Sequence, residues 1–392
     1  MVLEIKELTE KDYIESLKLS MYAFQYKIPE ERKASRIEKI KNHHVLGVWE
    51  ENNLAAKLHI IPFHIYMSGQ EWKMGGIAGV ATYPEYRRNG YVKKLLIQAL
   101  EKMRNDQQIV SLLHPFDIGF YRKFGWEVFT ENKKMLIDRK DLTFLNAQQG
   151  TIKRYTKESH HPDIESVYVQ FSKKYMGMLV RDLKWWMNSV YDDGQIAVYF
   201  NKRSEAQGYV LYETKDQKMD VQELVALTQE ARLGLWNFIC QHDSMVETVS
   251  ILTSNHELLP FILHQPKIKM EVTPYFMARI VDAEQCLQKY LFKDVTEKLF
   301  LHIEDEYAPW NNGSYLLANG KVTVYKDKPG SSCAHPPQRG VRLDINTLTA
   351  LIFGYKRPTE LFELGYIKGQ ETEISVLEEL FPQNKPYFYD FF

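Results

Sequence analysis

Cysteine is scarce in this chain. Three occur in 392 residues, Cys240, Cys286 and Cys333, far apart and odd in number. That argues against a disulfide framework and leaves no CxxC pair to seat a metal. No stretch approaches the roughly 20 apolar residues of a membrane span. "MVLEIKELTEKDYIESLKLS" lacks the basic start and apolar middle of a secretory leader. Neither sign of charge is in surplus: 50 Lys and Arg face 51 Asp and Glu, for a net charge of −1. Nucleic acid is therefore a poor candidate partner. A soluble cytoplasmic protein, without metal and without membrane attachment, is the expectation.

Aromatic residues are plentiful at 13%, and they crowd the last stretch, "KPYFYDFF". Chain ends are usually polar and frayed. An apolar end reads first as a tail docked to complete a core.

The first third has a mixed α/β pattern. "HVLGVWE", "LAAKLHIIPFHIYM" and "WKMGGIAGVATY" read as strands, with Pro62 calling for an edge or bulge. "YVKKLLIQALEKMR" places Val92, Leu95, Leu96, Ala99, Leu100 and Met103 at helical spacing. "IVSLLHP" is a buried strand, and "DIGFYRKFG" a short helix stopped by Gly125. In the middle, "LVALTQEARLGLWNFI" repeats the strand, polar turn and helix of "GVATYPEYRRNGYVKKLL" without the Arg-Arg-Asn-Gly element, as a degenerate duplication would. The last hundred or so residues form an α+β module. Asn319-Gly320 predicts a hairpin, and Asn346 and Gly354 are the candidate caps of "NTLTALIFG".

The turn "PEYRRNG" between strand and helix is the informative loop. A helix N-terminus directs free N–H groups and partial positive charge toward it. Arg87 and Arg88 add full charges, and Gly90 permits φ > 0 and close approach of a ligand. From the residues alone it is either a diphosphate site or a βα turn with solvated arginines.

"YRRNGYV" resembles the acetyl-CoA signature of the GNAT acetyltransferases, Arg/Gln-x-x-Gly-x-Gly/Ala, with Val92 in place of the final small residue. "FYRKFGW", "YAPWNNGSYLL", "VRLDINTLTALIFG" and the Phe-ending tail are similar to the enhanced intracellular survival (Eis) family. The resemblance spans the chain. It implies mixed α/β, α+β architecture: a GNAT domain over 1–150, a degenerate GNAT-like domain over 151–280 and a sterol-carrier-protein-like domain over 281–392. It also implies homo-oligomers, hexamers among them. Acetyl-CoA would be the cosubstrate, and the acceptor a small cationic amine or a peptide lysine, with aminoglycosides and polyamine-like compounds as classes. Val80, Ala81 and Thr82 would offer main-chain groups to the pantetheine arm. The pyrophosphate would lie on Arg87, Arg88, Asn89, Gly90, Tyr91, Val92 and Lys93.

Acetyl transfer to an amine calls for a base and an acid on opposite sides of the thioester carbon. Tyr121 matches the family's general acid, its phenol protonated at neutral pH with an ordinary pKa near 10. By pattern alone it is one helix tyrosine among many. No His or Glu base stands out: His43-His44 and His160-His161 are adjacent pairs, and His114 reads as structural or as a proton relay. The family's base is the terminal carboxylate, here that of Phe392, ordinarily at roughly 3.3–3.7 and raised by apolar surroundings. Asp390 and Glu85 are acids that could attract a cationic amine. Direct attack on the thioester is expected, because no Cys or Ser is presented with a matching His. Two other readings stay open: a longer-chain N-acyltransferase, and a catalytically silent protein binding acyl-CoA or an apolar ligand.

Overall fold

The computed structural model of the protein describes residues 3–146, 149–294, 297–326 and 339–392. Cys333 lies outside these residues.

Strands β1 (Leu3–Glu7), β2 (His44–Glu50), β3 (Asn53–Met67) and β4 (Gln70–Thr82) run antiparallel as a meander. The turns have a local cause. Glu51 and Asn52, then Ser68 and Gly69, all take positive φ, the two-residue geometry whose twist matches that of paired strands. Pro62 sits in β3 beyond the end of β2, where its missing N–H faces no partner strand. The helix Tyr91–Asn105 returns the chain to β5 (Val110–Leu113), parallel to β4. Its Leu95, Leu96, Ala99, Leu100 and Met103 are buried on the sheet, as their spacing requires. Helices Tyr13–Ala23 and Glu30–Ile40 precede the meander. Beyond β5 come the short helix Ile118–Arg122, β6 (Glu127–Val128) and β7 (Glu131–Asp138).

A second sheet repeats the plan with β8 (Thr151–Tyr155), β9 (Gln195–Phe200), β10 (Ala206–Lys215), β11 (Lys218–Ala226) and β12 (Thr248–Thr253). Asp216 and Gln217 form its positive-φ turn, and helix Gln229–Cys240 links β11 to a parallel β12. The two sheets exchange strands. β7 pairs with β12 and with β13 (Lys269–Pro274) in the second sheet, while β14 (Met277–Ile280) inserts between β5 and β6 in the first.

The third unit has a four-stranded sheet: β15 (Leu299–Glu304), β16 (Gly313–Ala318), β17 (Lys321–Tyr325) and β18 (Val341–Asp344). Asn319-Gly320 turns the hairpin with both φ positive. The cap expected at Asn346 is instead Asp344, whose carboxylate accepts from Thr347 N at 2.8 Å. Asp344 ends a strand and caps the next helix at once, so a strand pattern hides it. Asn346 Nδ2 donates to the carbonyls of Arg122 and Trp126, tying this helix to the first unit. Gly354 closes the helix at φ +74 as expected. Fully buried Arg279 on β14 bonds Asp305 at 2.9 and 3.1 Å and lies over Trp126, a second tie between the first and third units.

After helix Glu371–Leu380 the tail leaves the third unit. Lys385 and Tyr387 bond the main chain of Met176. The segment from Met176 to Val180 in turn bonds the end of β3, at His64 and Tyr66. The tail is thus a further extended layer across the first two units.

Candidate active site

β4 and β5 pair at Met74–Val110, Gly75–Ser111 and Gly76–Leu112, and no further. Beyond Gly76, β4 continues to Thr82 with an edge that β5 no longer covers. A bulge sharpens the divergence: Leu58 of β3 spans both Gly79 and Val80, with Gly79 at φ +56. Ala78, Gly79 and Val80 are half-buried although they lie mid-sheet. Val80 and Thr82 therefore present backbone donors and acceptors to a wedge-shaped opening, while Ala81, opposite Lys57, directs its own toward β3. Thr82 Oγ1 is buried with no hydrogen-bond partner among the described residues. An extended ligand with amide groups fits this edge.

The loop of 83–90 stands at the open end. Arg87, Arg88 and Asn89 are exposed, and Arg88 has φ +66. Gly90 is the N-cap at φ +75, where a Cβ would meet nothing within 4 Å. No side chain caps the helix Tyr91–Asn105, so its first N–H groups face the loop unclaimed. This is the cradle a diphosphate needs. Lys93 is exposed, with its ammonium 5.0 Å from the Tyr307 ring centroid. Two expected contacts are main-chain ones at most: Tyr91 is buried, its hydroxyl donating to Glu50, and Val92 packs on the core.

Tyr121 lies on the short helix just past β5, its N-terminus capped by Asp117. The phenol is buried, edge-on to Phe116, Phe120 and Trp126. Burial raises its pKa well above the ordinary value, so it stays protonated at any working pH. The tail reaches the closed end of the wedge. Phe392 lies over Gly76, where a Cβ would come within 2.7 Å of its ring. Phe63 and Phe276 flank it, with centroids 5.0 and 5.1 Å away. Phe391 is mostly exposed and meets His114, whose ring also touches Tyr275 and Phe276. Partial burial among these rings lowers the His114 pKa.

Two groups of residues depart from the sequence reading. Asp390 is not free to attract an amine. It is buried, accepting from Arg181 Nε at 2.9 Å and from Trp185 Nε1 at 2.7 Å. Glu85 remains exposed beside the loop. The second group is a buried chain of nitrogens. Lys57 Nζ lies 2.7 Å from His59 Nε2, and His59 Nδ1 lies 3.1 Å from His43 Nδ1. Burial lowers Lys57 to about 7 and His43 to about 4. Lys and His two apart in an apolar strand, "AKLHI", is the signal that could have shown a shared buried face.

The chain matches the family described as acetyltransferase (GNAT) domain twice, over residues 4–129 and 177–280, and the sterol carrier protein domain over 283–389. It is an N-acetyltransferase of the GNAT family, with two GNAT domains followed by a sterol-carrier-protein-like domain. GNAT domains take their acyl group from acetyl-CoA.

Whole-chain relatives share the full arrangement. A protein of unknown function from Enterococcus faecalis V583, described as a probable N-acyltransferase, is 27% identical with TM-score 0.91, covering 100% of both chains. An uncharacterized N-acetyltransferase of Streptomyces avermitilis is 23% identical over 94% of this chain and 92% of its own. Eis1 of Mycobacterium abscessus shares the fold at 18% identity and TM-score 0.82, covering 99% of this chain and 100% of its own.

Proposed function

We propose that the protein transfers acetyl from acetyl-CoA to a primary amine by direct attack, with Tyr121 as general acid and the α-carboxylate of Phe392 as general base. The observation that carries this is the wedge. One strand links the candidate diphosphate cradle at Arg87–Gly90, the uncovered edge at Val80–Thr82 and Gly76, over whose sheet face the Phe392 ring lies. Bound acetyl-CoA supplies the activated thioester carbonyl. The edge N–H groups would hold the carbonyl oxygen as negative charge develops. The carboxylate takes a proton from the amine as nitrogen attacks. Phe63 and Phe276 hold the Phe392 ring, and an apolar setting for the carboxylate it carries would favour a stronger base. Tyr121 Oη gives its proton to the departing sulfur. Burial keeps that phenol protonated for the step but weakens it as an acid, so the proton has to move together with cleavage of the C–S bond.

Aminoglycosides, polyamine-like compounds and lysine side chains are the acceptor classes, and a homo-oligomer, the hexamer of the resembling family, is the working form. The test is thiol release with acetyl-CoA and three probes: an aminoglycoside, spermidine and an Nα-blocked lysine. Amine-dependent release is expected from at least one. One glycine added after Phe392 should abolish it while leaving acetyl-CoA binding intact. Tyr121→Phe should lower kcat by about 100-fold, within the range general acids contribute. A fully active extended chain would remove the terminal carboxylate from the mechanism.

A further inference from the structure

The second GNAT-like unit has a wedge of its own. β11 and β12 pair from Lys218–Thr248 to Val221–Ile251, and β11 then runs on uncovered to Ala226. A bulge at Gln222 accompanies the divergence, as one does in β4. This wedge is occupied by the chain itself. Tyr389 Oη donates to Leu224 O at 3.1 Å and accepts from Leu224 N at 3.2 Å. Both bonds fall on the part of the strand that corresponds to the free edge of β4.

Beside it, Arg181 is buried between two acids. Its guanidinium bonds Glu223 of β11 on one side and Asp390 of the tail on the other. Tyr209 Oη donates to Glu223 at 2.6 Å, and Tyr275 Oη donates to the main-chain oxygen of Asp390 at 2.9 Å. Tyr168 and Trp186 lie face-on to the guanidinium, 4.0 and 4.7 Å from its central carbon. One buried cation with two carboxylates is a costly arrangement unless all members are in place. It therefore has one favourable position for Asp390, and Phe392 follows two residues later. Packing alone would hold an apolar tail with less directional demand.

We propose that the second GNAT-like unit is a receptor for the tail. Its former ligand edge at Leu224 and the Arg181–Glu223 pair act as positioning residues that set Phe392 at the throat of the first wedge. This rests on the reading of Phe392 as the base.

Three variants test it. Asp390→Asn leaves Arg181 paired with Glu223, and Tyr389→Phe removes one hydroxyl, so both are expected to fold. Asp390→Asn should lower kcat about 100-fold, the size of a misplacement near 1 Å. Tyr389→Phe should lower it roughly fivefold, as loss of a neutral hydrogen bond would. Neither should change the Kd for acetyl-CoA. Both should speed removal of the last residues by carboxypeptidase, a readout independent of turnover. Wild-type turnover in both folded variants would overturn the proposal, whether or not the tail is released. So would reduced turnover with the tail still protected. The one-glycine extension is the third variant. If it is fully active, the base reading fails by itself. If it is inactive while the other two turn over normally, the base stands and the receptor falls.

Discussion

The two GNAT-like units use the same strand–turn–helix plan and differ at the turn. In the first, residues 83–90 form an arginine-bearing loop, and Gly90 leaves the helix N-terminus uncapped. In the second, only Leu227 and Thr228 join β11 to the helix Gln229–Cys240, and Thr228 Oγ1 accepts from Ala231 N at 3.2 Å. A donor that could have met a phosphate is thus consumed by the chain. The edges differ in the same sense, that of β4 free at Val80–Thr82 and that of β11 bonded to Tyr389. On the proposal above, losing a ligand site need not leave a void. The backbone groups it exposed still have to be satisfied, and the tail satisfies them.

The largest effect is expected at the throat. A Cβ at Gly76 would collide with the Phe392 ring at 2.7 Å and with Phe63 at 3.1 Å. Gly76→Val should displace Phe392 and lower kcat about 100-fold. Acetyl-CoA affinity, on the proposed binding by the loop and the distal edge, should change little. Val221 occupies the last paired position of the second wedge. Val221→Ala should cost stability, as a core truncation does, and leave turnover per folded molecule unchanged. Normal turnover in Gly76→Val would separate the tail from the chemistry. Titrating acetyl-CoA alongside steady-state kinetics reads both quantities.

Next comes the loop. At φ +75, Gly90→Ala strains the backbone by roughly 1–2 kcal/mol. No neighbour resists the methyl, so added loss of acetyl-CoA affinity would reflect the ligand's close approach. A tenfold or larger rise in Kd is expected. The matched change, Thr228→Ala, should cost about 1 kcal/mol of stability and leave acetyl-CoA affinity untouched. Equal effects on affinity from the two changes would erase the distinction between the units. Arg87→Ala with Arg88→Ala should also weaken acetyl-CoA binding, and reduce its salt dependence.

These features were unevenly legible. Gly90, Arg87 and Arg88 could be read because their chemistry is local: a turn needing positive φ, with charge at a helix start. The Asn319-Gly320 hairpin and the Gly354 cap are local too. The strand exchange of β7 and β14 left no mark, because a strand's pattern states which face is buried and not which sheet receives it. Asp390 was misread for a related reason. Its partner Arg181 is far away in sequence, and a lone acid between aromatic residues looks available. The helices Tyr13–Ala23 and Glu30–Ile40, and those at Pro162–Ser172 and Glu371–Leu380, went unread, although a staggered apolar face runs through most of them.

Two buried cations extend the contrast between units, and one of them affects stability rather than turnover. Arg181 keeps its charge because two carboxylates face it, and its pKa is raised. Among the described residues Lys57 faces His59 and, beyond it, His43 and Lys39, all basic, and burial lowers it to about 7. In the unfolded chain Lys57 titrates near 10.4. Between these values the unfolded state binds a proton that the folded state does not, so the unfolding free energy rises with pH across that window. The gain is complete above about 10.4 and absent below about 7, and it is on the order of 5 kcal/mol. Lys57→Met should flatten the curve between pH 7 and pH 10. At pH 7 its net benefit should fall to roughly 2–4 kcal/mol, because deleting the amine leaves His59 Nε2 buried without a partner, at a cost of roughly 1–3 kcal/mol. Urea unfolding of both proteins at pH 7, 8 and 9 measures the difference. Parallel curves would mean that Lys57 keeps its proton after burial, through an anion or water beside it. The two units would then treat a buried cation alike.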